Sequence, residues 1–333
     1  MVWRGLGSKL LFWVAVASLP ALVITSLSTG AYTKVGFPTV IKLLTCSYVP
    51  KPYLAIILRR ALRTLAAITV GIALSSSGLS LQYVLKNPLA EPYLLGIASG
   101  AALGVLTALL LGHTEPYAIF VAALVGALGT FSLVMLISSF TGFNPLSVII
   151  AGVATSYCVS AVNIFIMMRI AEKIPSAYFW LFGSVAYVLK DQVTYSLVIT
   201  ALAITWLGIR SGAVATLILG EDVAKSLGIK TKLLRAEVVV ASSVATSAVV
   251  AMAGPVGFVG LAAPWLARLG VGTDFRKALP ASLITGASLT TLADLVARSA
   301  LPPTEIPLTA ITSLMGTPVL IYLLIKRVGW GRS

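Results

Sequence analysis

Residues able to do chemistry are few in this chain. His113 is the single histidine, and the two cysteines, Cys46 and Cys158, lie far apart. Zinc, haem and iron–sulfur centres take their ligands from clusters of such residues, so no metal site is expected and no cofactor is expected to be bound by this chain alone. Each cysteine reads as a small packing residue. The one opposite-charge pair inside an apolar stretch is Asp294 with Arg298, four positions apart and therefore on one helix face, where the two can neutralise each other. An unpaired charge in hydrocarbon costs about 2.5 to 3.5 kcal/mol on insertion scales, so a partner or a wet location is required. The pair is either a structural clasp near a helix end or part of a proton relay, and a relay normally uses more than this one carboxylate. With no nucleophile–base set and no metal set, catalytic residues are expected to be absent. No G-x-x-x-x-G-K-[ST] phosphate loop occurs, so any ATP used must be hydrolysed by another chain.

Three segments carry other signals. In residues 219–229, Glu221 and Asp222 fit the first turn of a short helix, Lys225 fits its end, and Gly228 offers a left-handed stop. Val223, Ala224 and Leu227 would share one face. Such a helix either docks into a groove on a soluble partner or merely connects two spans. In residues 87–96, Pro88 and Pro92 stop helices, Asn87 and Glu91 suit a turn and a helix start, and Gly96, Gly100 and Gly104 form a small-residue stripe suited to close helix packing. In residues 254–264, Gly254, Pro255, Gly257, Gly260 and Pro264 interrupt an apolar run. Backbone groups freed there find no water in lipid, so the break must be sheltered by protein or line a passage.

These segments are positioned by a chain that is hydrophobic almost throughout. Hydrophobic residues make up 58% and charged residues 10%, with mean hydropathy +1.01, whereas a soluble globule is normally about a quarter charged. The chain therefore reads as an all-α integral membrane protein, a single transmembrane domain over residues 1–333 with no segment left for a soluble one. Spans long enough for ~30 Å of hydrocarbon fall near 10–30, 61–84, 93–112, 116–138, 146–168, 193–209, 234–253, 256–270, 279–300 and 306–326, giving about ten crossings. The weakest boundary is the break at 254–270. The first apolar run has the outline of a signal peptide, but it exceeds the usual ~7 to 15 residues of a signal core and reads as a retained span.

Basic residues outnumber acidic ones, 24 to 10. They sit in loops between spans, which points to membrane topology rather than to nucleic acid. An even number of crossings places both termini on one side, and Arg4, Lys9, Lys326, Arg327 and Arg332 make that side the cytoplasm of a multi-pass protein of the cell membrane. A basic excess on the opposite side, from Lys34 to Arg63, needs its own reason.

The segments Asn87-Pro88-Leu89-Ala90-Glu91-Pro92-x-Leu94-Leu95-Gly96, Leu219-Gly220-Glu221, Gly257-Phe258-Val259-Gly260-Leu261 with Pro264, and Leu292-Ala293-Asp294-Leu295-Val296-Ala297-Arg298 occur in that order, followed by Glu305-Ile306-Pro307 and Gly316-Thr317-Pro318. In sequence and spacing, from about residue 55 to the end, the chain resembles the FecCD family, the membrane permeases of ABC importers for vitamin B12, haem and iron-siderophores. The resemblance implies a vitamin B12 permease-like fold, dimeric around a central pathway. A second permease subunit, an identical copy or a paralogue, would complete it. Two cytoplasmic ATPase subunits using ATP and Mg, an extracytoplasmic substrate-binding protein and a metal-chelate cargo are the other implied partners, apart from membrane lipid.

The same resemblance assigns residues as well. It makes Leu219, Gly220, Glu221, Asp222, Val223, Ala224, Lys225, Leu227 and Gly228 the coupling helix that seats in the ATPase. Arg60, Arg63 and Arg298 match arginines that meet glutamates of the binding protein, and a bidentate guanidinium suits that role. Leu62 replaces a proline usual in that motif. Pro145 and Leu146 fall where relatives place small polar gate residues, which implies either a hydrophobic gate or a shifted loop. Trp265 stands where many relatives have histidine. The pathway wall would include Ser156, Ser160 and Asn163, and single conservative changes there should be tolerated. Three other classes compete with an importer permease: an ion-coupled secondary transporter, a membrane enzyme and a passive channel. Dependence on an ATPase separates the importer from all three.

Overall fold

A computed structural model describes residues 6–30, 32, 34–45, 48–170, 180–301 and 304–327, and within them every regular element is helical. Arg4, Cys46 and Arg332, used above for topology or packing, lie outside the described residues. The helices are α1 (Leu6–Ser28), α2 (Phe37–Leu44), α3 (Lys51–Val84), α4 (Ile97–Leu110), α5 (Pro116–Ser139), α6 (Pro145–Ile170), α7 (Lys190–Ile209), α8 (Ser211–Thr216), α9 (Glu221–Ser226), α10 (Thr231–Ala253), α11 (Val259–Val271), α12 (Phe275–Ser299) and α13 (Leu308–Arg327). Single 3-10 turns at Pro92–Leu95 and Leu217–Leu219 precede α4 and α9.

Each expected span overlies a helix. Six of them, α3, α5, α6, α7, α10 and α12, are long and apolar enough to cross a membrane, while Phe12–Ser28, Ile97–Leu110 and Val259–Val271 are shorter apolar helices. The largest boundary difference is at α3, which begins at Lys51 rather than near residue 61 and runs for 34 residues. At 1.5 Å per residue it is about 51 Å long, well beyond the hydrocarbon thickness. The amphipathic α2 and the short α8 were not anticipated.

The bundle is organised around α3, which packs on α10, α11 and α12, while α4 packs on α5 and α6 and α1 on α12. Helices meet so closely that backbone touches backbone. A Cβ added at Gly78 of α3 would lie 1.8 Å from the carbonyl oxygen of Gly260 in α11, and one at Gly104 of α4 would lie 1.9 Å from that of Ala122 in α5. The predicted Gly96, Gly100, Gly104 stripe is therefore a packing stripe against α5. Buried hydroxyls add cross-links where lipid offers no hydrophobic drive between helices. Ser77 donates to the Ser242 carbonyl at 2.9 Å, Thr290 to that of Ala67 at 2.7 Å, and Ser282 to that of Ser75 at 3.1 Å.

Candidate functional site: short exposed helix, arginine cluster and interrupted helix

The break between α10 and α11 is sheltered, and by identifiable groups. Gly254 takes a positive φ of 70° and Phe258 one of 66°, so the helix stops and restarts across residues 254–258. The Tyr93 hydroxyl accepts from the Val256 N–H at 2.8 Å and donates to the Val256 carbonyl at 3.1 Å. Thr309 accepts from the Gly257 N–H at 3.3 Å and donates to the Pro255 carbonyl at 2.8 Å, and Ser184 N–H meets the Ala253 carbonyl at 2.7 Å. Two hydroxyls from distant helices thus supply what water would supply elsewhere. Gly260 and Pro264 are buried in the first turns of α11, Gly260 against Pro92 and Leu74, while Gly257 faces Thr309.

The turn at residues 86–92 is built locally and pinned from α11. The Asn87 carboxamide oxygen accepts from the Leu89 N–H at 2.9 Å, the Trp265 indole donates to the Pro88 carbonyl at 3.2 Å, and Glu91 leads into the Pro92–Leu95 turn. Trp265, without a reading from sequence alone, is the pin of this turn, and its ring lies 4.3 Å from the Arg268 guanidinium.

At the same end of α3 lies α9. Gly220 precedes it at φ 118°, Gly228 follows it at φ 79°, and Ala224 is fully buried beneath it. Asp222 is fully exposed and Lys225 reaches it at 3.5 Å. Leu219, Val223 and Leu227 are exposed too, so α9 presents an apolar surface with charges around it. Only Ala224 of the expected apolar face turns inward. Glu221 also points inward: it accepts from the Thr231 hydroxyl at 3.0 Å and pairs with Arg235 at 3.4 Å and Lys86 at 3.8 Å. The Thr231 hydrogen bond, partly offset by burial, and the Arg235, Lys225 and Lys86 charges hold its carboxyl below the usual carboxylate range.

The turn before α6 is tied to this end of the bundle through Arg235, which donates to the Phe143 carbonyl at 2.7 Å. Asn144 accepts from the Leu146 N–H at 3.0 Å and Pro145 opens the helix, an N-terminal arrangement in which the proline's missing N–H costs nothing. Leu146 is exposed.

At the far end of α3 the arginines are placed differently from expectation. Arg60 is buried and donates to the Leu27, Val35 and Tyr32 carbonyls at 2.9, 2.7 and 3.0 Å. Arg63 holds Glu305 bidentately at 2.7 and 2.9 Å and Asp294 at 2.9 Å. Arg298 donates to Ser26 and lies 3.7 Å from Asp294. All three guanidiniums thus have partners within the chain, brought to them by the packing of α3 on α1 and α12. Asp294 pairs more closely with Arg63, at 2.8 Å, than with its own-helix neighbour. Arg63, Arg298, Asp294 and Glu305 form a neutral quartet, with Asp294 and Arg298 buried and Glu305 at its exposed edge. Arg59, which sequence reasoning passed over, is exposed here, as are Lys34, Lys51 and Lys190; it donates to the Val188 carbonyl at 3.2 Å and lines, with the other three arginines and Glu305, a cavity of about 440 Å³.

Of the pathway residues, Ser156 and Ser160 are half-buried on α6, and the Ser156 hydroxyl donates back to Gly152 of its own helix at 2.7 Å. Asn163 is a correction. It is buried and donates to the Ser99 carbonyl of α4 at 3.0 Å, so it joins two helices instead of facing open space. Among the described residues no cluster of histidine, cysteine and carboxylates able to hold a metal occurs.

Comparison with known proteins agrees with this architecture. A permease protein of an ABC transporter from Bacillus subtilis, YvrB, is 36% identical over 277 residues, 81% of this chain and 78% of its own length. The vitamin B12 import system permease protein BtuC of Salmonella arizonae is 36% identical over 269 residues, 79% of this chain and 80% of its own. A solved inward-facing structure described as a metal-chelate type ABC transporter superposes with a TM-score of 0.83 at 32% identity, covering 95% of this chain and 98% of that one. The model of the FecCD transport family matches residues 18–326, and the chain belongs to that family.

Proposed function

We propose that this chain, an ABC importer permease by family, carries a bulky metal chelate such as an iron-siderophore, haem or cobalamin into the cytoplasm by alternating access. Two copies would enclose the pathway, in the cell membrane, with both termini on the cytoplasmic side. A separate ATPase using ATP and Mg seats against α9, and an extracytoplasmic binding protein delivers the cargo at the far end of α3. The observation that carries this reading is α9 itself. A short helix braced from behind through Ala224 and Glu221, yet offering Asp222 and Val223 outward beside the flanking Leu219 and Leu227, is suited to a groove on a soluble partner. Arg59 is the cation best placed to meet a carboxylate of the binding protein. Ion-coupled transport is the weaker reading, since Asp294, the carboxylate it would use, is already held by Arg63 and Arg298.

Reconstitution with the ATPase and binding protein in lipid vesicles tests the proposal. ATP-dependent uptake of cobalamin, haem or a ferric siderophore is expected. Uptake that ignores ATP and follows an ion gradient would overturn it.

A further inference from the structure

Arg235, in the first turns of α10, joins three elements that the chain order keeps far apart. Its Nε donates to the carbonyl of Val84, the last residue of α3, at 3.0 Å, and its Nη1 to the carbonyl of Phe143, in the turn before α6, at 2.7 Å. Its Nη2 reaches Glu221, the first residue of α9, at 3.4 Å. The residue is 2% exposed. A planar guanidinium can serve three acceptors in fixed directions, whereas an ammonium on a flexible stem cannot fix them together.

The elements held are not free to relax independently. Phe143 and Lys86 have left-handed φ values of 56° and 51°, a conformation non-glycine residues keep only where surroundings over-determine it. Lys86, two residues beyond Val84, also faces Glu221 at 3.8 Å. The bonds to Val84 and Phe143 are short and reach backbone, while the contact to Glu221 is longer and its side chain is 29% exposed. Arg235 is therefore seated firmly on α3 and the pre-α6 turn and loosely on α9. The contact able to change as α9 moves is the one to Glu221.

We propose that Arg235 is the positioning residue through which displacement of α9 is passed to the Phe143–Pro145 turn and to the α3 end, with the Arg235–Glu221 contact as the part that shifts. This rests on the importer reading above. The test is the reconstituted complex, with cargo imported per ATP hydrolysed as readout, for wild type, Arg235→Lys, Glu221→Gln and the double variant.

The ratio is expected to fall by about tenfold in either single variant, within the range of measured coupling energies. The double variant should be no worse than Arg235→Lys alone, because that change already disturbs the contact to Glu221 along with the bonds to Val84 and Phe143. A ratio unchanged while uptake and hydrolysis fall in parallel would mark Arg235 as a static brace and overturn the proposal, as would additive losses in the double variant. If Arg235→Lys does not assemble, Glu221→Gln is read beside Lys86→Gln, which removes the other cation facing Glu221: a fall confined to Glu221→Gln supports the proposal, and an equal fall in both overturns it. ATP-independent uptake by the wild type would instead overturn the importer reading, and this inference with it.

Discussion

Asp294 lies between Arg63 at 2.8 Å and Arg298 at 3.7 Å, and Arg63 spends its remaining donors on Glu305. If Arg63 acts inside the chain, Arg63→Ala should destabilise the isolated protein in detergent by on the order of 3 kcal/mol, because it strips a buried carboxylate of its closest counter-charge. Thermal unfolding measures this; an unchanged midpoint together with lost affinity for the binding protein would return Arg63 to the docking role. The sequence displays the Asp294–Arg298 spacing, since four positions on a helix always meet. It does not display Arg63, more than two hundred positions away, because only the packing of α3 on α12 brings it there. Glu221 yields a second prediction. Its folded carboxyl titrates below its unfolded value, so the stability it contributes is present above the ordinary glutamate range and lost as pH falls through the lowered folded value. The gap in unfolding midpoint between wild type and Glu221→Gln should hold steady near neutrality and close as the solution is acidified below that range. A gap that stays open at low pH would mean that charge is not what holds Glu221.

At the scale of elements, close approach decides which glycines matter. Gly104 of α4 sits against the Ala122 carbonyl of α5, while at Gly129 of α5 an added Cβ would meet nothing within 4 Å. Gly104→Ala should therefore cost about 1 to 3 kcal/mol of unfolding free energy through forced separation of α4 and α5. Gly129→Ala should be neutral or slightly stabilising, since alanine is the better helix former by roughly 1 kcal/mol. Equal effects at the two sites, read by detergent unfolding, would contradict the packing described. The stripe at Gly96, Gly100 and Gly104 was legible because its period matches a helix face, and the interruption at 254–258 was legible because glycine and proline punctuate it. The groups that shelter the interruption were not. Tyr93 and Thr309 look like ordinary apolar-run residues until tertiary contact assigns their hydroxyls. The start of α3 was missed for a different reason: Lys51, Arg59 and Arg60 lower the hydropathy that marks a span without disturbing the helix itself.

At the scale of the molecule, the exposed faces of α5 and α6 differ in chemistry. Exposed positions of α5 include Val121, Val125, Leu133, Leu136 and Ile137, a mostly aliphatic surface whose exposed Ser132 and Ser139 hydroxyls donate back to their own helix at 2.7 Å each. The exposed positions of α6 mix Tyr157 and Cys158 with Val162, Phe165 and Met168, beside the half-buried Ser156 and Ser160. Phenol, hydroxyl and thiol groups among apolar ones fit a wall that passes a large cargo without holding it. Cys158 is a free, exposed thiol and reports on this directly. With Cys46 replaced by serine, a water-soluble maleimide should modify Cys158 in the complex reconstituted in vesicles, and a change of nucleotide state that moves the pathway should change the rate. The reaction needs the thiolate, which hydrocarbon suppresses, so a lipid-facing position would remain unmodified in every state. That outcome would move the pathway off this face of α6 and make its hydroxyls packing residues, as Asn163 already is through its bond to α4.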